Sequence, residues 1–376
     1  MTFSADDYQF MSRAVQLAER GRYTARPNPC VGCVIVSADG AVAEGWHYRA
    51  GEPHAEINAL QSLAADQVQG ATVYVTLEPC SHTGKTGPCA DALVDAGVAR
   101  VVYGMQDPNP QVAGRGLSRL AEAGIMVDGP LMHEAAQQLN PGFISRMQRG
   151  KPWVRCKLAS SLDGRTAMAS GESQWITGTA ARQDVQKWRA RSCAVVTGIG
   201  SIQQDNSRLT LRAEELDVDN TGDVLKLPPL RVVLDTYLSI AQDAAIFQEP
   251  GPVLIFTSTQ VDEGLAQALL EQYRELTIER IDESRQGLDL EQVLIRLAQQ
   301  YQCNEVLIEA GAQLSGAYLQ AGLIDELILY QAPVLMGSDA RPLFEWPIHS
   351  MAQKQELVIV DQRTIGNDWR TIARFK

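Results

Sequence analysis

The sequence predicts an α/β protein of two domains, and three features point that way. Its 376 residues exceed the roughly 150 of an average domain. Short apolar runs of strand length alternate with segments of helical spacing, the pattern of a layered α/β architecture. The alternation breaks over residues 141 to 152, Pro-Gly-Phe-Ile-Ser-Arg-Met-Gln-Arg-Gly-Lys-Pro. A boundary near Gly150 follows, giving domains 1–149 and 150–376.

Residues 6 to 20 carry Phe10, Ala14, Leu17 and Ala18 at helical spacing, with Gly21 where a C-cap belongs. After the turn Pro27-Asn28-Pro29, Val31 to Val36 reads as a buried strand and Ala71 to Leu77 as another. Helices are expected over Ala55 to Ala64 and Cys89 to Ala96. Val98 to Gly104 is a third strand, Gly116 to Ala123 a helix and Ile125 to Val127 a short strand. Beyond the boundary, strands are expected at Trp153 to Leu158, Ala194 to Gly198, Leu230 to Leu234, Val253 to Phe256, Glu305 to Glu309 and Glu326 to Gln331. The acidic stretch Ala213 to Asp223 reads as a surface loop.

Composition narrows the function classes. The chain is 45% hydrophobic and 21% charged, within the globular range, with a formal net charge of −12. Residues 1 to 150 hold 11 basic and 15 acidic side chains, leaving 22 and 30 beyond. Neither half has the basic excess that phosphate backbones demand, so nucleic acid is a poor expectation. Phosphates of small ligands must instead be held by a few cations and helix N-termini. No stretch approaches the roughly 18 apolar residues of a membrane span, and the start MTFSADDYQF lacks the features of a signal peptide. Seven cysteines, an odd number, suggest thiols or metal ligands in a cytoplasmic protein rather than a disulfide framework.

His54-Ala55-Glu56 opens a helical segment, Pro79-Cys80 follows a strand and Cys89 starts another helix. One His and two Cys supply three zinc ligands and leave the fourth tetrahedral position open, as in catalytic sites. Zinc lowers the pKa of water there from 15.7 to about 7. Glu56, two residues from the His, is placed to move protons without ligating. The set follows the logic of zinc deaminases, except that eight residues separate the two cysteines where nucleic-acid deaminases have two. The insert Ser81 to Pro88 is rich in donors; it is either a grip for a substrate phosphate, with Lys85 a contact, or an ordinary polar turn. In a rival scheme Cys30-Val31-Gly32-Cys33 joins Cys80 and Cys89 in a structural site, but it leaves His54 and Glu56 unexplained. His47 reads as a structural histidine.

Several motifs now combine. Asn28-Pro29-Cys30-Val31-Gly32, Gly51-Glu52-Pro53-His54-Ala55-Glu56, Thr76-Leu77-Glu78-Pro79-Cys80-Ser81-His82-Thr83-Gly84 and Gln106-Asp107-Pro108-Asn109-Pro110 resemble the deaminase half of the bifunctional deaminase/reductases of riboflavin biosynthesis. Lys157 to Arg165, Gly171 to Thr177 and Glu309-Ala310-Gly311 resemble the reductase half. The resemblance spans almost the whole chain. It implies a cytidine-deaminase-like three-layer domain followed by a dihydrofolate-reductase-like domain, with Zn2+ and NADPH as cofactors. It also implies two consecutive reactions, deamination of a phosphorylated diaminopyrimidine and reduction of its ribosyl group to ribityl. Asn28 and His82 would line the pyrimidine pocket.

In the second domain, a strand ending at Glu309 is followed by Gly311, which opens a helical pattern; such a turn can bind an anion. By the resemblance, the dinucleotide phosphates lie along Gly311, Ala312, Gln313, Leu314, Ser315, Gly316 and Ala317. Further cofactor contacts would be Ala159, Trp175, Ser201, Asp205 and Thr236. Substrate would meet Ser173, Arg189, Leu209, Arg212 and Glu309, the two arginines pairing with the ribose phosphate. Two positions depart from the family pattern: Ser201 stands for Thr, and Ser207 for a Pro whose fixed φ would stiffen the loop carrying Leu209 and Arg212. Asp205 and Lys157 are candidate proton donors for the reduction. A homo-oligomer is expected. The competing readings are a nucleic-acid base deaminase with an accessory domain and a nucleotide sensor with structural zinc.

Overall fold

The computed structural model describes residues 2–81, 87–110, 112–284 and 287–376. The chain forms two compact units, Met1–Gly150 and Lys151–Lys376.

The first unit is built on five strands: β1 (Gly32–Val36), β2 (Val42–Trp46), β3 (Thr72–Val75), β4 (Arg100–Tyr103) and β5 (Met126–Asp128). Their order is β2-β1-β3-β4-β5. β1 runs antiparallel to β2 and β3, while β3, β4 and β5 are parallel. Alternation sorts the side chains. Cys33, Ile35, Val73, Val75 and Val101 face one layer, with Ala55, Ala59, Leu93 and Leu120 from three helices. Val34, Tyr74 and Val102 face the other, against Met11, Ala14 and Leu17 of helix Ala5–Glu19. That helix starts on a capping box, in which the Asp7 N–H donates to Ser4 Oγ and the Ser4 N–H to the Asp7 carboxylate. Gly45 permits the close approach that matters for function: a Cβ there would lie 2.2 Å from the Ala55 carbonyl oxygen. Helix Ala55–Leu60 thus rests directly on β2.

The second unit contains a nine-stranded sheet. Its strands are β6 (Trp153–Ser160), β7 (Ala194–Gly198), β8 (Leu230–Leu234), β9 (Val253–Ser258), β10 (Leu276–Ile281), β11 (Glu305–Ile308), β12 (Glu326–Gln331), β13 (Leu357–Ile365) and β14 (Asp368–Phe375). The order is β10-β9-β8-β7-β11-β6-β12-β14-β13. The first seven are parallel; β14 and β13 add antiparallel at one edge. Apolar clusters cover both faces. In such sheets ligands bind outside the carboxyl ends of the parallel strands.

The structure differs from expectation in three places. Residues 141–149 form a regular helix, Pro141–Arg149. Pro141 occupies its first turn, where the missing N–H costs nothing, and Gly150 caps it at φ 67°. The acidic stretch is not all loop: helix Thr221–Leu225 begins within it, and Leu216 and Val224 are buried. Strands β2, β10, β13 and β14 add to the expected set; β13 is an edge strand with mostly exposed side chains.

Candidate metal centre and cofactor cleft

His54, Cys80 and Cys89 converge although 26 and 35 positions separate the cysteines from the histidine. His54 is the N-cap residue of helix Ala55–Leu60, and Cys89 is the first residue of helix Cys89–Asp95. Cys80 follows the end of β3. The Ala90 N–H donates to the Cys80 carbonyl (3.1 Å), and the Cys89 N–H points at Cys80 Sγ (3.3 Å). His54 Nδ1 lies 3.2 Å from Cys89 Sγ and 3.5 Å from Cys80 Sγ. All three ligand atoms fall within 4.8 Å of one another, the one such group among the described residues. Tetrahedral zinc at about 2.3 Å from sulfur and about 2.0 Å from nitrogen sets ligand atoms at comparable separations.

Electrostatics agree with a cation site. The Cys80 thiol is drawn down to about 4, first by hydrogen bonding to Cys89 and then, against burial, to His54. The Cys89 thiol is driven up, first by that same bond and then by burial. Left alone, the two sulfurs share a proton; a dication supports both as thiolates. Glu56 is 3% exposed, and its Oε2 is buried with no hydrogen-bond partner. Burial, with the nearby Cys80 charge, raises its carboxyl to about 7. A buried acceptor beside three ligands fits a centre that holds a metal and a water.

Asn28 lies at the same site. Its Nδ2 is 3.0 Å from His47 Nε2, while His47 Nδ1 is 3.2 Å from the Pro53 carbonyl. Both ring nitrogens of His47 are thus engaged, and burial lowers its pKa. His47 packs edge-on to His54, with ring centroids 5.2 Å apart. Cys33 is buried in β1, and burial raises its thiol well above the usual value. It takes no part in the metal group. His82 and Lys85 lie outside the described residues.

The second unit carries a cleft of about 920 Å³ at the carboxyl ends of β6, β7, β8 and β11. Ala159, Trp175, Ser201, Asp205, Thr236, Gly311, Ala312, Gln313, Leu314 and Ala317 line it, as do Ser173, Arg189, Leu209, Arg212 and Glu309. Gly311 is the N-cap residue of helix Ala312–Gln320, and a Cβ there would meet nothing within 4 Å. The helix's free N–H groups therefore stand open at the cleft.

Ser315 and Gly316 do not reach it. The helix turns about 100° per residue, so these two face inward: Ser315 is fully buried and donates to the Ala310 carbonyl, and a Cβ on Gly316 would lie 2.4 Å from the Glu345 carbonyl oxygen.

Arg189 reaches the cleft already paired. Its fork is committed to Glu309, at 2.6 and 3.0 Å, and Nη1 donates to the Thr210 carbonyl. Against burial, which would raise it, the Arg189 charge holds the Glu309 carboxyl low. Lys157 stands beside this pair, its pKa lowered by burial and by Arg189. Arg212 is half exposed and pairs with Glu215 at 3.0 Å. Leu209 is buried at φ 56°. The Ser207 hydroxyl reaches the Ser201 carbonyl at 3.4 Å, a tie where a proline would have offered rigidity. Ser173 donates to Asp205 at 3.1 Å, and Arg182 stacks over Trp175, 4.5 Å from the ring centroid. Arg182 and Arg341 also line the cleft. Nothing local in the sequence marks Arg341, which enters through the pairing of its strand with Ala167.

A three-ligand metal centre with an interior carboxylate, and a nucleotide-sized cleft on a separate parallel sheet, define a two-site enzyme: a zinc deaminase joined to a dinucleotide-dependent reductase. Residues 4–105 match the cytidine and deoxycytidylate deaminase zinc-binding region, and residues 152–370 the RibD C-terminal domain. The riboflavin biosynthesis protein RibD of Escherichia coli is 50% identical over 367 residues, covering 96% of this chain and 97% of that protein. That of Haemophilus influenzae is 45% identical, covering 98% and 97%. The solved structure of Acinetobacter baumannii RibD superposes with a TM-score of 0.90 at 46% identity, covering 98% and 99%. A Thermotoga maritima diaminohydroxyphosphoribosylaminopyrimidine deaminase/5-amino-6-(5-phosphoribosylamino)uracil reductase gives 0.84 at 30%, covering 98% and 99%.

The chain belongs to the RibD family of riboflavin biosynthesis. It is a bifunctional enzyme, with a cytidine-deaminase-like first domain that uses zinc and a dihydrofolate-reductase-like second domain that uses NADPH.

Proposed function

We propose that the first unit deaminates 2,5-diamino-6-ribosylamino-4(3H)-pyrimidinone 5′-phosphate and that the second reduces the ribosyl group of the product, giving 5-amino-6-ribitylamino-uracil 5′-phosphate. The observation that carries the deaminase half is the buried Glu56 carboxylate beside the ligand triad, its Oε2 without a hydrogen-bond partner. His54, Cys80 and Cys89 would hold zinc, which would supply the acidity that makes water nucleophilic at neutral pH. Glu56 takes a proton from that water and delivers one to the departing amine, so that a C–NH2 bond is exchanged for C=O and ammonia leaves. Asn28, oriented by His47, offers its amide to the pyrimidine edge. His82 is proposed as a second pyrimidine contact from the family motif alone.

In the reductase half NADPH supplies the hydride. The first turn of helix Ala312–Gln320 would hold its phosphates, with Ala159, Trp175, Ser201, Asp205 and Thr236 as further contacts lining the same cleft. Arg189 keeps Glu309 ionised and aimed into the cleft to receive substrate hydroxyls, while Arg212 is the accessible cation for the ribose phosphate. Lys157, partly buried beside Glu309, and Asp205, bonded to Ser173, are the groups placed to deliver the accompanying proton. None of the seven cysteines is joined in a disulfide, which supports a cytoplasmic location. No helix among the described residues is long and apolar enough to cross a membrane.

We also infer a homo-oligomer. Edge strand β13 exposes Leu357, Val358, Ile359 and Val360 in succession, a long apolar edge of the kind proteins cover.

The test is turnover of the phosphorylated diaminopyrimidine with ammonia and NADPH followed together. One ammonia released and one NADPH oxidised per product supports the reading; NADPH oxidation with no ammonia release refutes the deaminase assignment.

A further inference from the structure

Two residues before Cys80 stands a carboxylate that the deamination chemistry does not use. Glu78 is 4% exposed. Its Oε2 accepts from the Asp107 N–H (3.1 Å) and the Gly114 N–H (3.0 Å), and its Oε1 from the Gly116 N–H (2.9 Å). Its own N–H donates to the Met105 carbonyl (2.9 Å). Gly114 is the N-cap residue of helix Arg115–Glu122. One side chain therefore satisfies the amides that open this helix and the amide at the start of the preceding turn.

What the clamp holds is the backbone of the metal centre. A Cβ on Gly116 would lie 1.9 Å from the Pro79 carbonyl oxygen. The helix start is thus seated on the residue between Glu78 and Cys80, a fit only glycine allows. From the same helix Arg119 pairs with Asp91 at 2.7 Å, reaching helix Cys89–Asp95. That helix returns to Cys80 through its Cys89 and Ala90 amides. The contacts close a ring: Glu78 to helix Arg115–Glu122, to the Cys89 helix, to Cys80, and back along the chain to Glu78.

We propose that Glu78 is a positioning residue for the deaminase centre, its carboxylate fixing the Cys80 backbone relative to Cys89 and so setting metal affinity. A glutamine of the same shape would turn its NH2 toward one of the three N–H donors and break the clamp on that side. An aspartate would keep the charge but fall one methylene short.

The proposal rests on the zinc-centre reading. The experiment uses the full chain with Zn2+ and with Co2+: metal affinity by chelator competition, and the visible spectrum of the cobalt form, for wild type, Glu78→Gln and Glu78→Asp. Groups hydrogen-bonded directly to metal ligands typically contribute 10–100-fold in metal affinity, and Glu78, acting through the Cys80 backbone, belongs at the lower end, about tenfold. Glu78→Gln is expected to lose about that much and to shift the cobalt bands, Glu78→Asp to fall between it and wild type, and NADPH-dependent reduction of deaminated substrate to remain unchanged. Wild-type affinity and spectrum in both variants would overturn the proposal. So would loss of the folded first unit in both, by making the carboxylate a folding determinant instead. A wild-type chain that takes up neither metal would refute the zinc-centre reading itself.

Discussion

The metal centre of the first unit and the cleft of the second solve the problem of assembling a site in opposite ways. The centre takes its ligands from two helix starts and one strand end, all within 36 residues, and keeps its working carboxylate buried. The cleft gathers side chains from Lys157 to Glu345 and stays open along the sheet's carboxyl edge. The first arrangement suits chemistry on a small amino group, where a dry, fixed carboxylate moves protons over a short distance. The second suits a long dinucleotide held by backbone amides and shape, with charge reserved for a few points such as Arg189–Glu309. In a chain of net charge −12, the proposed phosphate contacts therefore rest on a few cations and a helix N-terminus.

The sharpest way to break this comparison is Glu56→Gln. Ammonia release should fall by about 10²- to 10⁴-fold, the usual worth of a positioned acid–base group. NADPH oxidation on pre-deaminated substrate should stay at the wild-type rate; parallel loss of both activities would deny the sites their separation.

Next is the packing under the first site. Burial would raise the Asp7 carboxyl, yet bonds from Arg100, Ser4 and Tyr74 win and hold it at about 2. Because the folded pKa lies below the unfolded value near 3.9, the stabilisation is complete above that value and disappears as pH falls through about 2. It amounts to about 2 kcal/mol. Denaturation of the first unit at pH 7 and pH 3 should show about half of that loss, roughly 1 kcal/mol, in wild type and not in Asp7→Asn. An equal acid response in both would remove Asp7 from the account.

Substitution of Gly311 by leucine should weaken NADPH binding by about tenfold, or about 1.4 kcal/mol, and spare deamination. Unchanged cofactor affinity would move the phosphates elsewhere. The smallest effect is expected from Val360→Glu on the outer edge of β13. Sedimentation should show a lower mass at equal concentration, with both activities of the dissociated chain retained at the start; a mass identical to wild type would exclude that edge as the contact.

The two sites were also unequally legible. His54, Cys80 and Cys89 sit in short motifs whose residue types suggest ligation, with Glu56 two positions from the histidine, and the fold had only to close the distance between helix starts. The cleft depends on rotation and on remote pairing. The run from Gly311 to Ala317 reads as a line in sequence, but on a helix Ser315 and Gly316 turn into the protein. The pairing of Arg189 with Glu309, 120 residues later, carries no local signal. Arg341 has no local signal. Pro141 and Gly150 read as breakers because composition does not tell a helix's first turn or its C-cap from a loop.

Metal removal tests the central claim most directly. The chain is treated with chelator until zinc is absent, and ammonia release and NADPH oxidation are followed in parallel, each on its own substrate. Separate sites predict that ammonia release disappears and returns with added zinc, while NADPH oxidation on the deaminated substrate keeps its rate throughout. Deamination that survives without metal, or a reduction that falls and recovers with it, would contradict the account.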